Sequence, residues 1–263
     1  MIISFRGKDA DEGHLDAFAG IESAAGVARA LALIGHYAAT GTVRHRYPFD
    51  TNVKFFLEGT EEGSFNWKVA LSITGSLALG LSTNAVYDLA KLSIGRAIGE
   101  EPTAVSAEVQ KLNRERGGDI EALIEAVEPA LKKAHYGIGE TAHEIVIEEI
   151  NSKKVIIKLD QASKNYLLDS VDGDDDFQDV SVSALNVNDR TGRAYFHDLK
   201  RTVPFRVSSD ADPETMTVLS RCLDRYANNK PAPTRIWFTR VEAIDGRLKR
   251  VIIFKAVDVS DVE

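Results

Sequence analysis

His197 and Asp198 stand close in sequence to Arg190, Arg193, Lys200, Arg201 and Arg206, the densest grouping of residue types able to do chemistry in this 263-residue chain. Planar guanidinium groups grip phosphate oxygens in pairs. Tyr195 and Phe196 place flat rings among these cations, and charge interleaved with aromatics is how single-stranded nucleic acid is held. Strand alternation sends Tyr195 and Phe196 to opposite faces, so one of the two rings belongs to a core. Arg190, Arg193, Lys200, Arg201 and Arg206 are therefore a candidate nucleic-acid or phosphate surface, with a solvated strand face as the plainer reading. His197 is the side chain a general-base role would use. It has no recognisable catalytic partner, and no catalytic residue is assigned.

Other groupings carry less. Asp172, Asp174, Asp175, Asp176 and Asp179 offer oxygen ligands for a divalent cation, but lack the glycine and closing glutamate of the helix-loop-helix calcium motif. A solvated turn between strands is the expectation there. His135 and His143 are separated by a glycine break and share no helix face, and His143-Glu144 is not followed by the second histidine of a zinc-protease motif. Cys222 falls on an apolar helix face, the ordinary place for a buried thiol. Arg44, His45 and Arg46 read as a charged connector. Glu148, Glu149, Lys153, Lys154 and Asp160 are too loosely spaced for a metal-dependent nuclease. The chain has no GxxxxGK[ST], GxGxxG or GxSxG motif. No metal site and no cofactor is expected.

Composition narrows the class. Hydrophobic residues make up 44% and charged residues 27%, as in an ordinary globular protein, and the formal net charge is −8. That balance disfavours polyanions overall, but it is uneven. Residues 1–179 carry 18 Lys+Arg against 29 Asp+Glu, whereas residues 180–263 carry 14 against 11. A polyanion contact therefore belongs in the last third. A single cysteine excludes an internal disulfide and suits a reducing compartment, and acidic residues interrupt the N-terminus before any signal-like apolar core. The expected location is the cytoplasm.

These residues need elements to position them. Alternation at Val53, Phe55, Leu57 and again at Phe65, Trp67, Val69, Leu71, Ile73 predicts a strand pair joined by a loop at 59–63. Apolar residues then predict a helix from Gly75 to Ile98, buried on several sides. Ser72, Ser76, Gly80 and Asn84 fall at four-residue spacing and would let another backbone approach, so they are candidate oligomer contacts. The run Val69–Tyr87 is uncharged, but once the strand is subtracted it is too short to span ~30 Å of hydrocarbon. A short strand is expected at Ile2–Phe5, and an alanine-rich helix at His14–Ala39 stopped by Gly41. A polar helix should run to Arg116 and end at Gly117-Gly118. The next is capped by Asp119 and kinked or restarted at Pro129.

From about Ile145 the pattern is mostly strand-like, at Ile145–Ile150, Val155–Leu159, Val180–Val187, Ala194–Val207, Arg235–Ala243 and Leu248–Val257. Turns are expected at Thr191-Gly192 and Asp245-Gly246, and one helix is opened by Asp212 and Pro213. The fold class is thus α+β. A small antiparallel sheet packed by long helices (residues 1–147) precedes a β-rich, barrel-like domain containing one helix (residues 148–263).

The stretches DADEGHLDAFAGIESAAGVARALALIGHYAATG, VRHRYPF and VKFFLEGTEEGSFNW, with SALNVNDRTGRAYFHDLKRTVPF and RVEAIDGRLKR, resemble a family of uncharacterised bacterial proteins associated with mobile or phage-defence gene neighbourhoods. That resemblance implies a context and no activity. The expected function is a non-enzymatic, self-associating cytoplasmic subunit with structural, sensing or adaptor roles, forming a homo-oligomer and engaging a protein partner. The alternatives are nucleotide or nucleic-acid binding through the basic C-terminal strands, and a membrane-active effector using helix 75–98.

Overall fold

The computed structural model describes residues 1–61, 65–150, 154–168, 170–228, 233–244 and 246–259. Contacts divide the chain into two units. One comprises Met1–Lys111 with Leu123–Leu168, the other Leu112–Ala122 with Asp169–Glu263. The architecture is α+β, as the periodicities predict.

The first unit opens with β1 (Ile2–Arg6), followed by α1 (Ala17–Thr40), β2 (Val53–Glu61), β3 (Asn66–Ile73) and α2 (Thr83–Ala97). α3 (Ala107–Glu115) and α4 (Gly117–Ala134) come next, with Leu112–Ala122 of these two helices counting with the second unit; β4 (Glu144–Glu148), β5 (Val155–Leu159) and α5 (Gln161–Leu168) follow. Five strands pair in the order β2-β3-β1-β4-β5, every neighbour antiparallel. β5 and α5, beyond the 147/148 division read from the sequence, belong to this unit. Part of the loop expected at 59–63 lies outside the described residues.

Asp16 caps α1 by accepting the Ala19 N–H at 2.8 Å, and Gly41 ends it in the left-handed conformation (φ 70°). Ala19, Ala30, Ala38 and Ala39 are buried within this chain's own packing, whereas Ala17, Ala25 and Ala28 are exposed. Gly26 lies against α4 so closely that a Cβ there would meet the Ala130 carbonyl oxygen at 2.6 Å and the Ala134 Cα at 2.7 Å. Phe5, Leu31, Ile34, Tyr37, Leu89 and Ile120 are fully buried side chains.

The helix expected over 75–98 is shorter. Ser82 caps it through the Ala85 N–H, and Gly75 and Gly80, at φ 77° and 62°, break the run before it. α2 is therefore 15 residues, about 22 Å long at ~1.5 Å per residue. Among the described residues α1 is the one helix long and apolar enough to cross a membrane, and half of its most apolar window is buried. Gly117-Gly118 begin α4 instead of ending α3. Asp119 does not cap it but holds Arg116 and Asn186. α4 continues through Pro129.

His135, fully buried after α4, is held on both ring nitrogens. Nδ1 lies 2.7 Å from the Leu131 carbonyl and Nε2 2.8 Å from the Ser163 hydroxyl. Burial, with Lys164 adding to it, pushes its pKa below the ordinary 6.5 against the opposing pull of the Leu131 carbonyl and Asp160. The folded state thus holds the neutral ring while the unfolded chain takes a proton first. This stabilisation is complete above pH 6.5 and is lost as pH falls through the depressed folded value. Urea melts between pH 7 and pH 5 are expected to show lower stability at pH 5, and His135→Gln should flatten that dependence.

The second unit is a barrel. β6 (Ser170–Asn186), β7 (Thr191–Phe196), β8 (Arg201–Val207), α6 (Thr215–Ala227), β9 (Thr234–Ala243) and β10 (Leu248–Asp258) follow in turn. The barrel closes in the order β10-β8-β7-β6-β9. The 17-residue β6 closes it by pairing with β7 over one half and with β9 over the other, while β8 and β10 run parallel. Val180, Val182, Phe196, Phe205, Ile236, Phe238, Val251 and Ile253 fill the interior. α6 adds Val218, Leu219 and Cys222 to that core, but Tyr226, expected on the apolar face, is 47% exposed. Asp212 precedes α6 by a turn, its carboxylate accepting the Glu214 N–H at 3.0 Å.

Candidate nucleic-acid interface

The hairpin turns decide where the basic residues go. β6 and β7 are joined by 187–190, and β7 and β8 by 197–200; each turn ends on a left-handed residue, Arg190 (φ 57°) and Lys200 (φ 51°). The strand expected over Ala194–Val207 is therefore two strands, and Thr191-Gly192 open β7 instead of making the turn. The sequence hides this because neither turn contains glycine or proline; lysine and arginine carry the left-handed conformation at about 1 kcal/mol each. Asp245 lies outside the described residues; the Gly246 N–H donates to the Ala243 carbonyl at 2.8 Å, where β9 turns toward β10.

The five candidate cations divide into three groups. Arg190 and Arg206 sit at one end of β8, where Thr191 pairs with Arg206 and the Val207 N–H donates to the Arg190 carbonyl. Lys200 and Arg201 sit at the other end, both exposed, with the Arg201 guanidinium donating to the Leu248 carbonyl at 3.3 Å. Arg193 lies midway and is taken. Its guanidinium meets the Glu121 carboxylate at 3.0 Å, with side chains only 11% and 3% exposed. Arg190 is half-committed, donating to the Ser208 carbonyl at 2.6 Å.

β10 extends this surface. Its residues Val251 and Ile252 pair with Phe205 and Arg206, which brings Arg250 and the preceding Arg247 beside β8. Neither β8 nor β10 contains an acidic residue before Asp258. β6 is the reverse. Its acidic cluster is strand, not solvated turn, and three carboxylates are spent on β9: Asp175 accepts from Thr239 at 2.6 Å, Asp176 from Arg240 at 2.6 Å, and Asp179 from Arg235 at 2.7 and 3.1 Å. Arg235's hydrogen bonds hold the Asp179 carboxyl below its usual range, overcoming partial burial, with further help from the charge of Arg235 and from the neighbouring His197. Among the described residues no group of three or more His, Cys, Asp or Glu side chains is placed to hold a metal ion.

An open pocket of about 590 Å³ lies on the β6–β9 face, lined by Phe177, Asp179, Ser181, His197, Asp198 and Arg235 among others. The His197 Nε2 is 3.2 Å from the Ser181 hydroxyl, and the Tyr195 ring meets the imidazole edge-on at 5.3 Å. Phe177, 54% exposed, leans on Trp237 at 6.2 Å, and Lys255 lies 5.2 Å over the indole. Phe196 is core, as alternation requires. Sequence reasoning missed Phe177 and Trp237. The spacing of Arg235, Trp237 and Thr239 on one strand face was readable, but the pairing that brings Phe177 to them was not.

The small-residue row does not form. Ser72 is in β3, Ser76 and Gly80 are in the connector, and Asn84 is in the first turn of α2, so the four share no helix face.

These features define a mixed α+β protein that ends in a closed five-stranded barrel with one basic side. The chain belongs to the family described as Domain of unknown function (DUF7946), whose model matches residues 1–168, and residues 178–257 match the Family of unknown function (DUF7947). No curated protein and no solved structure matches the chain.

Proposed function

We propose that this protein is a cytoplasmic, non-enzymatic binder of single-stranded nucleic acid, which it holds by the phosphates on the β8–β10 side of the barrel. The observation that carries the reading is the gathering of Lys200, Arg201, Arg206, Arg247 and Arg250 along β8 and β10, two neighbouring strands with no acidic residue before Asp258. Five-stranded Greek-key barrels of the OB type bind oligonucleotides on their second and third strands, here β7 and β8; this is an analogy of architecture only. Arg206 lies on the outward parity of β8, and Lys200 and Arg201 lie at the strand's other end, about 17 Å away, a span of several nucleotides. Such a ligand also suits the phage-defence setting that the sequence resemblance implies.

Fluorescence anisotropy with a labelled single-stranded oligonucleotide tests it. Arg201→Glu combined with Arg206→Glu is expected to weaken binding roughly 10- to 100-fold at moderate salt, because each phosphate contact is electrostatic. Unchanged affinity in the double variant would remove the proposal. Arg193 is excluded from this test because its replacement reports on folding.

Self-association is a second reading. Phe18 and Ile21 on α1 are 63% and 68% exposed, and Phe18 packs edge-on to the half-exposed Tyr136 at 5.4 Å. These residues replace the helix row as the candidate contact. Light scattering should show an oligomer that Phe18→Asp dissolves; a monomer at micromolar concentration contradicts it.

A further inference from the structure

We propose that the β6–β9 pocket receives the 3′-terminal nucleoside of a single-stranded RNA, an inference that rests on the nucleic-acid reading and names its ligand more closely. The pocket's volume of about 590 Å³ is that of a small-molecule site. Its floor offers a ring for stacking: Phe177 is 54% exposed and backed by Trp237 at a 31° tilt.

Its polar lining sets the Asp179 and Asp198 carboxylates and the Gln178 amide beside Ser181, His197 and Arg235. Arg235 lies 5.6 Å from the Phe177 centroid and is clamped by the Asp179 carboxylate at 2.7 and 3.1 Å, so its charge is neutralised locally. Asp179 retains lone pairs beyond those two bonds, and Asp198 is exposed on the rim. The Gln178 Oε1 is buried beside them and has no hydrogen-bond partner among the described residues. With Asp179 and Arg235 cancelling each other's charge, the Asp198 carboxylate repels phosphate and accepts hydroxyl and amino protons, so the favoured occupant is a neutral ring bearing donors. In RNA only the 3′ end presents a base together with a free cis-diol and no further phosphate. A carboxylate is the usual partner of a ribose hydroxyl. The route is continuous as well. His197 and Asp198 on the pocket rim belong to the same turn as Lys200, which leads directly into Arg201 on the basic surface.

The test uses the full chain and three roughly ten-nucleotide, 5′-fluorescein-labelled RNAs that differ only at the 3′ end: free diol, 3′-phosphate and 2′,3′-dideoxy. The free-diol RNA should bind about tenfold more tightly than either of the others. Phe177→Ala, at an exposed position, should lower it to their level while leaving the salt dependence in place. Equal affinity for all three ends, with binding intact, overturns the inference and spares the nucleic-acid reading. If no RNA binds at any salt concentration the nucleic-acid reading fails, and adenosine then judges the pocket alone. Saturable quenching of tryptophan fluorescence that is lost in Phe177→Ala supports a nucleoside site, and no quenching overturns it.

Discussion

Gly26→Ala is expected to destabilise the first unit strongly. The added methyl group would lie 2.6 Å from the Ala130 carbonyl oxygen and 2.7 Å from the Ala134 Cα, closer than nonbonded atoms approach. These are backbone atoms of α4, so no side-chain rotation relieves the clash, and the two helices must move apart. Separation disturbs a close-packed interior in which Leu31, Ile34 and Leu131 are all buried. Alanine is the better helix former by about 1 kcal/mol, which offsets part of the penalty. Overpacking in a tight core costs about 1–3 kcal/mol and more where backbone must shift, so a net loss of ~2–4 kcal/mol is expected. Urea denaturation followed by circular dichroism measures it. A variant as stable as the parent would mean that the α1–α4 approach is not as close as described.

Breaking the Arg193–Glu121 pair should have an effect of similar size in the second unit. Both side chains are nearly withdrawn from solvent, and the Arg193 guanidinium also donates to the Thr202 carbonyl at 3.3 Å. Removing one partner leaves the other's charge buried without its compensation, which typically costs about 3–5 kcal/mol. Arg193→Ala and Glu121→Ala are each expected to destabilise the fold by that order. The double variant should lose much less than the two losses added together, because no lone charge remains. Additive losses in the cycle would show that the two groups do not interact as drawn. The pair also explains why Arg193, the central member of the basic group in sequence, is separate from the binding surface.

Much of this fold was legible because one face of each strand is buried. Alternation placed β5 at its observed ends and β9 and β10 within one residue of theirs. Gly41 marked the end of α1 because a left-handed residue was needed there. Failures occurred where local pattern and tertiary context part. Gly75 and Gly80 interrupt an apolar run that otherwise reads as helix, since Leu77 and Leu81 are buried in irregular backbone. α5 is eight residues of mixed polarity, too short to show a period, and is held by Asp160, whose carboxylate accepts the Ala162 and Ser163 N–H groups. The acidic run 172–179 resembles a loop, yet forms strand because β9 supplies Thr239, Arg240 and Arg235 opposite it.

The candidate site was legible only as composition. Sequence grouped five cations; the fold buries one in an ion pair, ties another to backbone, and recruits Arg247 and Arg250 from a strand some fifty residues away through the parallel β8–β10 pairing. Such long-range register has no local signature. The Phe177–Trp237 stack is hidden for the same reason.

The salt dependence of oligonucleotide binding tests the central claim most directly. With three or four phosphates neutralised on β8 and β10, the logarithm of the association constant should fall against the logarithm of salt concentration with a slope of roughly −2 to −3. A slope near zero, or no binding even at low salt, would contradict the assignment of that surface to nucleic acid.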